Sequence, residues 1–230
     1  MAIYVIADLH LSGSVQKPMD IFGNQWANHH EKIEYHWREC VHEDDMVLIP
    51  GDISWAMRLE EAMVDLRWID QLPGKKILLR GNHDYWWGSV RKLNTLFPNM
   101  FFLQNNSKNF EAYVICGTRG WICPNSYKFD LQDEKIYNRE LQRLKLSLET
   151  GAKQGNKKII VMTHYPPTND KMEPSEFTKI YEDYGVEKVV YGHLHGTDGF
   201  CGALQGRYRG VEYQLTSCDY LNFKPLKIYD

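Results

Sequence analysis

The stretch KKILLRGNHD, residues 75–84, runs an apolar segment straight into a glycine, an amide, an imidazole and a carboxylate. The apolar part has the length of a buried strand, and its abrupt end in ligand-type residues predicts chemistry at the carboxyl end of that strand. The arrangement recurs along the chain. AIYVIA (2–7) leads into DLH, MVLIP (46–50) into GD, KKIIVM (157–162) into TH and VEKVVY (186–191) into GHLH. In open α/β sheets, ligands gather at that edge.

Between these runs lie helical patterns. Leu59, Ala62, Met63, Leu66 and Ile69 share one face of residues 57–72, and Ile136, Tyr137, Leu141, Leu144 and Leu148 share one face of residues 134–148. The charges opposite read as solvated faces. FFLQNNSKNFEAYVICGTRGW (101–121) looks like a hairpin region, and so does the tail, where GRYRGVEYQLTS (206–217) and FKPLKIY (223–229) alternate in the strand manner. The expectation is one α/β domain over residues 1–230, with two packed sheets and helices outside.

Composition narrows the partners. A net charge of −3 and a sequence pI near 6.3 give no general pull toward nucleic acid or an anionic membrane. No stretch approaches the roughly 20 apolar residues of a membrane span, and the opening run is too short and too poor in basic residues for a signal peptide. The five cysteines are odd in number and scattered, and Cys116 and Cys123 lack zinc-knuckle spacing. Free thiols in a reducing cytoplasm are expected. No feature specifies an oligomeric state.

Of nine histidines, His10, His83, His164, His193 and His195 fall at the strand ends; His29, His30, His36 and His42 lie in one polar, helix-like stretch and are expected on the surface. Asp8 and His10 are two apart, as are His193 and His195, so in extended backbone each pair points one way. Glycine precedes Asp52, Asn82 and His193, permitting the unusual backbone of a convergent loop. Imidazole, carboxylate and one amide without thiolate suit manganese, iron, zinc or nickel better than calcium or magnesium. The candidates Asp8, His10, Asp52, Asn82, His164, His193 and His195 exceed one coordination sphere. They suit two divalent ions about 3.5–4 Å apart, bridged by a carboxylate. Formal counting with a bridging hydroxide leaves about one positive charge, so the centre would attract an anion, and a phosphate ester is the natural substrate.

DLH (8–10), GD (51–52), GNHD (81–84), TH (163–164) and GHLH (192–195) resemble, in order and spacing, the motifs of the calcineurin-like metallophosphoesterases. The resemblance runs from residue 3 to about 195. It implies a four-layer sandwich of two mixed β-sheets flanked by helices. It also implies that Asp8, His10, Asp52 and His195 hold one metal, and that Asp52 bridges to a second held by Asn82, His164 and His193. His83 would protonate the leaving oxygen while a metal-bridging hydroxide attacks phosphorus in line. Asp84 would either orient His83 or cap a helix beginning at Tyr85, and the cap is preferred.

One motif departs from the family's protein phosphatases. Where those read GD-x-x-D-R-G, this chain reads GDISWAMR, with Trp55 and Ala56 in place of the second Asp and the Arg, and Arg58 two positions late. The small bacterial phosphohydrolases of the family are the nearer match, acting on a small phosphomonoester or phosphodiester. Trp55 and Trp86 are candidates for a pocket wall, although Trp more commonly packs loops. Arg58 and Arg119 are candidates to grip phosphate. The alternatives are a nuclease of the same superfamily, disfavoured by the absence of a basic segment, and a non-catalytic scaffold, disfavoured by retention of His83 and all seven candidate ligands.

Overall fold

The computed structural model describes residues 1–125, 129–155 and 157–230. In the first half of the chain, strand β1 (Ile3–Val5) is followed by α1 (His29–Cys40), β2 (Met46–Ile49), α2 (Leu59–Asp70), β3 (Lys75–Leu79), α3 (Val90–Leu93) and β4 (Met100–Leu103). Then come β5 (Lys108–Phe110), β6 (Tyr113–Thr118), α4 (Leu131–Ala152), β7 (Lys158–Thr163), α5 (Glu176–Asp183) and β8 (Lys188–Tyr191). The remainder is α6 (Gly196–Cys201), β9 (Gly206–Tyr208), β10 (Val211–Leu215) and β11 (Leu226–Tyr229).

The strands form two mixed sheets, ordered β11-β1-β2-β3-β4 and β5-β6-β7-β8-β10-β9. Within each, the central strands run parallel and the outermost pairings β11–β1, β5–β6 and β9–β10 are antiparallel. The apolar runs are continuous because both faces of each sheet are covered. Ile3, Val5, Met46, Leu48, Ile77 and Leu79 point between the sheets, where they meet Ile115, Ile160, Met162 and Val190. Tyr4, Val47, Ile49 and Leu78 point the other way, onto Ile33 and Trp37 of α1 and Leu66 and Ile69 of α2. On the far side Val114, Val161 and Val189 pack on Leu141, Leu144 and Leu148 of α4 and on Tyr181 of α5. This is the expected four-layer sandwich.

The hairpin expected over residues 101–121 is corrected. Phe101–Leu103 belong to β4, which pairs parallel with β3, whereas only β5 and β6 form a hairpin, in the other sheet. The tail divides likewise: β9 and β10 are a hairpin, but β11 crosses back to lie beside β1. Alternation marks a segment as a strand without naming its neighbour, since partner choice is a tertiary decision.

The parallel arrangement brings the carboxyl ends of β1, β2 and β3 to the same edge as those of β7 and β8. There the sheets are stitched together: the Ala7 N–H donates to Thr216 O at 2.7 Å and the Cys218 N–H to Ala7 O at 2.9 Å. Among the described residues no helix is long and apolar enough to cross a membrane. Trp37 is fully buried under the first sheet and donates from Nε1 to Pro73 O at 2.9 Å. Trp37→Ala is expected to cost about 3–5 kcal/mol in urea unfolding, from the cavity it leaves in an otherwise packed layer.

Candidate metal centre

Each loop leaving a strand end turns at once. Asp8, His10, Asp52 and His193 all adopt the left-handed conformation, with φ of 59°, 44°, 50° and 72°. Non-glycine residues take that conformation rarely, Asp and His more readily than most. This corrects the extended-strand expectation: Asp8 and His10 converge because the backbone coils under them. The coil is held by backbone bonds to the neighbouring loop, from Asp8 N–H to Gly51 O at 3.0 Å and from His10 N–H to Asp52 O at 2.9 Å. Two glycines are required by closeness. A Cβ on Gly81 would overlap the Asp52 carboxylate, and one on Gly192 would overlap that of Asp8.

The side chains gather in two groups around Asp52. In the first, His10 Nε2 and His195 Nε2 lie 3.3 Å apart, and Asp8 is close to both. In the second, His164 Nε2 is 2.6 Å and His193 Nδ1 2.9 Å from Asn82 Oδ1, with the two nitrogens 3.2 Å apart. Asp52 Oδ2 lies between, 3.8 Å from His10 Nε2 and 3.4 Å from His164 Nε2. Atoms bound to one ion at about 2.0–2.2 Å cannot be more than about 4.4 Å apart, and every one of these separations is within that bound.

The hydrogen atoms leave lone pairs inside. His164 donates from Nδ1 to Pro50 O at 3.1 Å, so its Nε2 faces Asn82 Oδ1 as one acceptor facing another. His195 likewise donates from Nδ1 to Asp219 Oδ1 at 2.9 Å, turning Nε2 toward His10. Converging lone pairs of this kind are satisfied by a cation.

The electrostatics agree. Burial pushes the Asp8 carboxyl up to about 8, with Asp52 adding and His195 opposing, and burial raises Asp52 as well. Burial and neighbouring imidazoles hold His10 well below its ordinary value and His164 and His193 down to about 3, in the neutral form that ligates metals. Burial works against the charged form of His195 too, but the Asp219 hydrogen bond and the charges of Asp8 and Asp52 outweigh it, raising it to about 9. Two adjacent buried carboxylates that resist ionisation, among the neutral imidazoles of His10, His164 and His193, fit a divalent cation.

The remaining candidates divide. His83 lines a cavity of about 340 Å³ over the centre, together with Met19, Phe22, Trp26, Trp55 and Asp219. Its backbone N–H donates to Asp52 Oδ1 at 2.8 Å. Trp55 stacks on the His10 ring at 4.9 Å and lies 4.5 Å from that of His83. Trp86, the other candidate for a pocket wall, takes the commoner packing role: it is 3% exposed, packed on Trp87 and Phe102, with Nε1 donating to Asp84. Arg58 is exposed at the start of α2, outside the cavity, and its N–H donates to Glu61. Arg119 lines a separate cavity.

No helix begins at Tyr85, so Asp84 caps none; the next helix, α3, starts five residues later. The fully buried Asp84 carboxylate accepts from the backbone N–H groups of Ile53, Ser54 and Gly81 and from Trp86 Nε1. Asp84 therefore ties the GD loop to the GNHD loop.

His29, expected on the surface, is buried against Trp26 and Phe223, with Nε2 3.0 Å from Leu9 O in the DLH loop. The motifs miss Asp219, although it follows the run VEYQLTSC as Asp8 and Asp52 follow theirs.

Two facing sheets that present paired imidazole and carboxylate groups at one edge define a metal-dependent hydrolase scaffold. The family model for calcineurin-like phosphoesterases matches residues 1–197, and the chain belongs to that family: it is a phosphoesterase-type enzyme with a metal-binding site. A search of curated proteins returned no match. Among solved structures, the chain is similar to the protein of unknown function AQ665 from Aquifex aeolicus, at 15% identity and a TM-score of 0.54, covering 98% of this chain and 95% of that one. It is also similar to phosphopantetheinyl hydrolase PptH from Mycobacterium tuberculosis, at 14% identity and a TM-score of 0.58, covering 94% and 88%. At such identities these likenesses establish the fold.

Asp219→Asn removes the charge that orients His195. Manganese affinity, measured by titration of metal-stripped protein, is expected to fall about 10–100-fold, the usual effect of losing a carboxylate behind a ligating histidine. An unchanged affinity would show that His195 needs no such support.

Proposed function

We propose that this chain, acting as one domain, hydrolyses a small phosphate ester at a centre of two divalent ions. Asp8, His10, Asp52 and His195 hold one ion; Asp52, Asn82, His164 and His193 hold the other. The reading is carried by Asp52 Oδ2, which sits within ligand-sharing distance of an imidazole from each group. Manganese, iron or zinc suits the donor set. Such ions supply Lewis acidity and make water a usable nucleophile near neutral pH.

The chain's own residues do the rest. The cavity lined by His83 and Trp55 admits an ester whose leaving group lies against the apolar side formed by Met19, Phe22 and Trp26. Hydrolysis breaks the bond between phosphorus and the leaving oxygen, and that oxygen must take up a proton. His83 is the general acid: Asp52 anchors its backbone and its ring faces the cavity. Asp84 acts through the loops, holding Gly81 and Ile53 so that Asn82 and Asp52 stay in register. Scattered cysteines, all free, suit the reducing cytoplasm as its compartment.

The test is the initial rate on p-nitrophenyl phosphate and bis-p-nitrophenyl phosphate, using protein stripped and then reloaded with manganese. Turnover that requires metal is expected, and the ratio of the two rates assigns monoester or diester preference. Absence of turnover with two metals bound per chain, on these and on nucleotide and sugar phosphates, would favour a scaffold. His83→Ala should keep both metals but lose about 10²–10⁴-fold in kcat on esters with poor leaving groups, and far less on p-nitrophenyl esters. Equal losses on both would remove His83 from the role of acid.

A further inference from the structure

A second cavity, of about 170 Å³, opens where β3, β4 and β6 end against α4. Its wall carries four guanidinium groups, those of Arg80, Arg119, Arg139 and Arg143, and one carboxylate, Glu140. Glu140 is the buried member at 1% side-chain exposure. Its Oε1 accepts from Arg143 at 2.8 Å and lies 3.6 Å from Arg139 and 3.8 Å from Arg119, while its Oε2 accepts from Thr118 at 2.7 Å.

One carboxylate needs one or two cationic partners. Here three guanidinium groups lie within 4 Å of it and the fourth, that of Arg80, lines the same wall, a surplus of three positive charges over the one carboxylate in a confined space. The hydrogen-bond inventory also falls short. Arg80 Nε and Arg119 Nε are buried with no hydrogen-bond partner among the described residues. Arg119 is only 16% exposed, and its guanidinium lies over the Trp121 ring at 4.6 Å, which gives it a fixed plane. Buried arginines normally complete their donor set with oxyanions, for which the planar fork is built.

From these observations we infer that the cavity is an oxyanion-binding site, distinct from the metal centre, taking a group of the phosphate class. It is joined to that centre through the backbone. Arg80 precedes the Gly81-Asn82 pair by two peptide steps to the ligand, at most about 7 Å. The carbonyl of Arg119 accepts the N–H of His164 and of Tyr165, each at 3.0 Å. The segments that aim two metal ligands therefore also carry two of the arginines. The bound group is either a second anionic group of the substrate or a free oxyanion acting as an effector. Binding itself does not depend on the phosphoesterase reading; only the choice between these two sources does.

The first measurement is calorimetric titration of the full, metal-stripped chain with inorganic phosphate and pyrophosphate at low ionic strength. Saturable binding of one anion per chain is expected, weakened at least 10-fold in Arg119→Met. The double variant Arg139→Met, Arg143→Met changes only side chains on the more exposed side of the cavity, so it decides the matter should Arg119→Met fail to fold. Its affinity is expected to fall by a similar factor, with Tm measured alongside. No saturable binding, or equal binding by folded variants, would overturn the site and leave the arginines as counter-charge for Glu140. In manganese-loaded protein, sulfate that raises KM for p-nitrophenyl phosphate without changing kcat, and does so only with the arginines present, marks a substrate subsite. An arginine-dependent change in kcat marks an effector site.

Discussion

The left-handed backbone at Asp8, His10, Asp52 and His193 is the constraint on which the rest of this site depends. Each such residue costs about 1–3 kcal/mol relative to relaxed backbone, and persists only where its surroundings leave no other choice. Here the surroundings are a lattice of hydrogen bonds between adjacent loops. The DLH loop is bonded to the GD loop along its length, from Asp8 to Leu11. The GD loop is bonded to the GNHD loop through the Asp84 carboxylate. The GHLH loop is bonded to the first through Asp8, which accepts the His193 N–H at 3.0 Å. Strain is thus carried by a network whose members are themselves the ligand-bearing segments.

That network explains why the two sheets must face each other with their parallel strands aligned. Asp8, Asp52 and Asn82 come from one sheet, and His164, His193 and His195 from the other. Neither sheet alone supplies the whole cluster. The interior between them, built of Ile3, Val5, Leu48, Ile160 and Met162, holds the edges in register and keeps water from the undersides of the ligands. Burial then raises the carboxylates and lowers the imidazoles. A cation between them is the condition under which these groups coexist with least cost.

Much of this could be read from the strand ends. Apolar runs fully buried on both faces leave a plain signal, and their termination in Asp, His or Asn located all seven candidate ligands. Less legible were features decided by tertiary pairing. The segment 101–121 divided between two sheets because its short strands carry no mark of their partners. Trp86 and Asp84 read as polar or aromatic neighbours of a site, but both turn inward, and each satisfies the other through a 3.1 Å hydrogen bond. His29 sits in a polar helix whose first residue happens to face the DLH loop, a fact that periodicity alone does not reveal. A glycine in a sequence suggests conformational freedom, whereas Gly81 and Gly192 are needed for the space their missing Cβ leaves to a carboxylate.

Support for the site extends beyond the motifs. The family match ends at residue 197, yet β10 and β11 follow it and complete opposite sheets. β10 supplies the Thr216 carbonyl that receives the Ala7 N–H, and just after it Cys218 reaches back to Ala7 O while Asp219 orients His195. β11 then lies beside β1, so that the strand delivering Asp8 is flanked on both sides. A site assembled from the first 195 residues would have its candidate ligands but lack the outer support of its first loop. The closing strands therefore belong to the metal centre as fully as the motifs do, because they fix the position from which Asp8 and His195 converge.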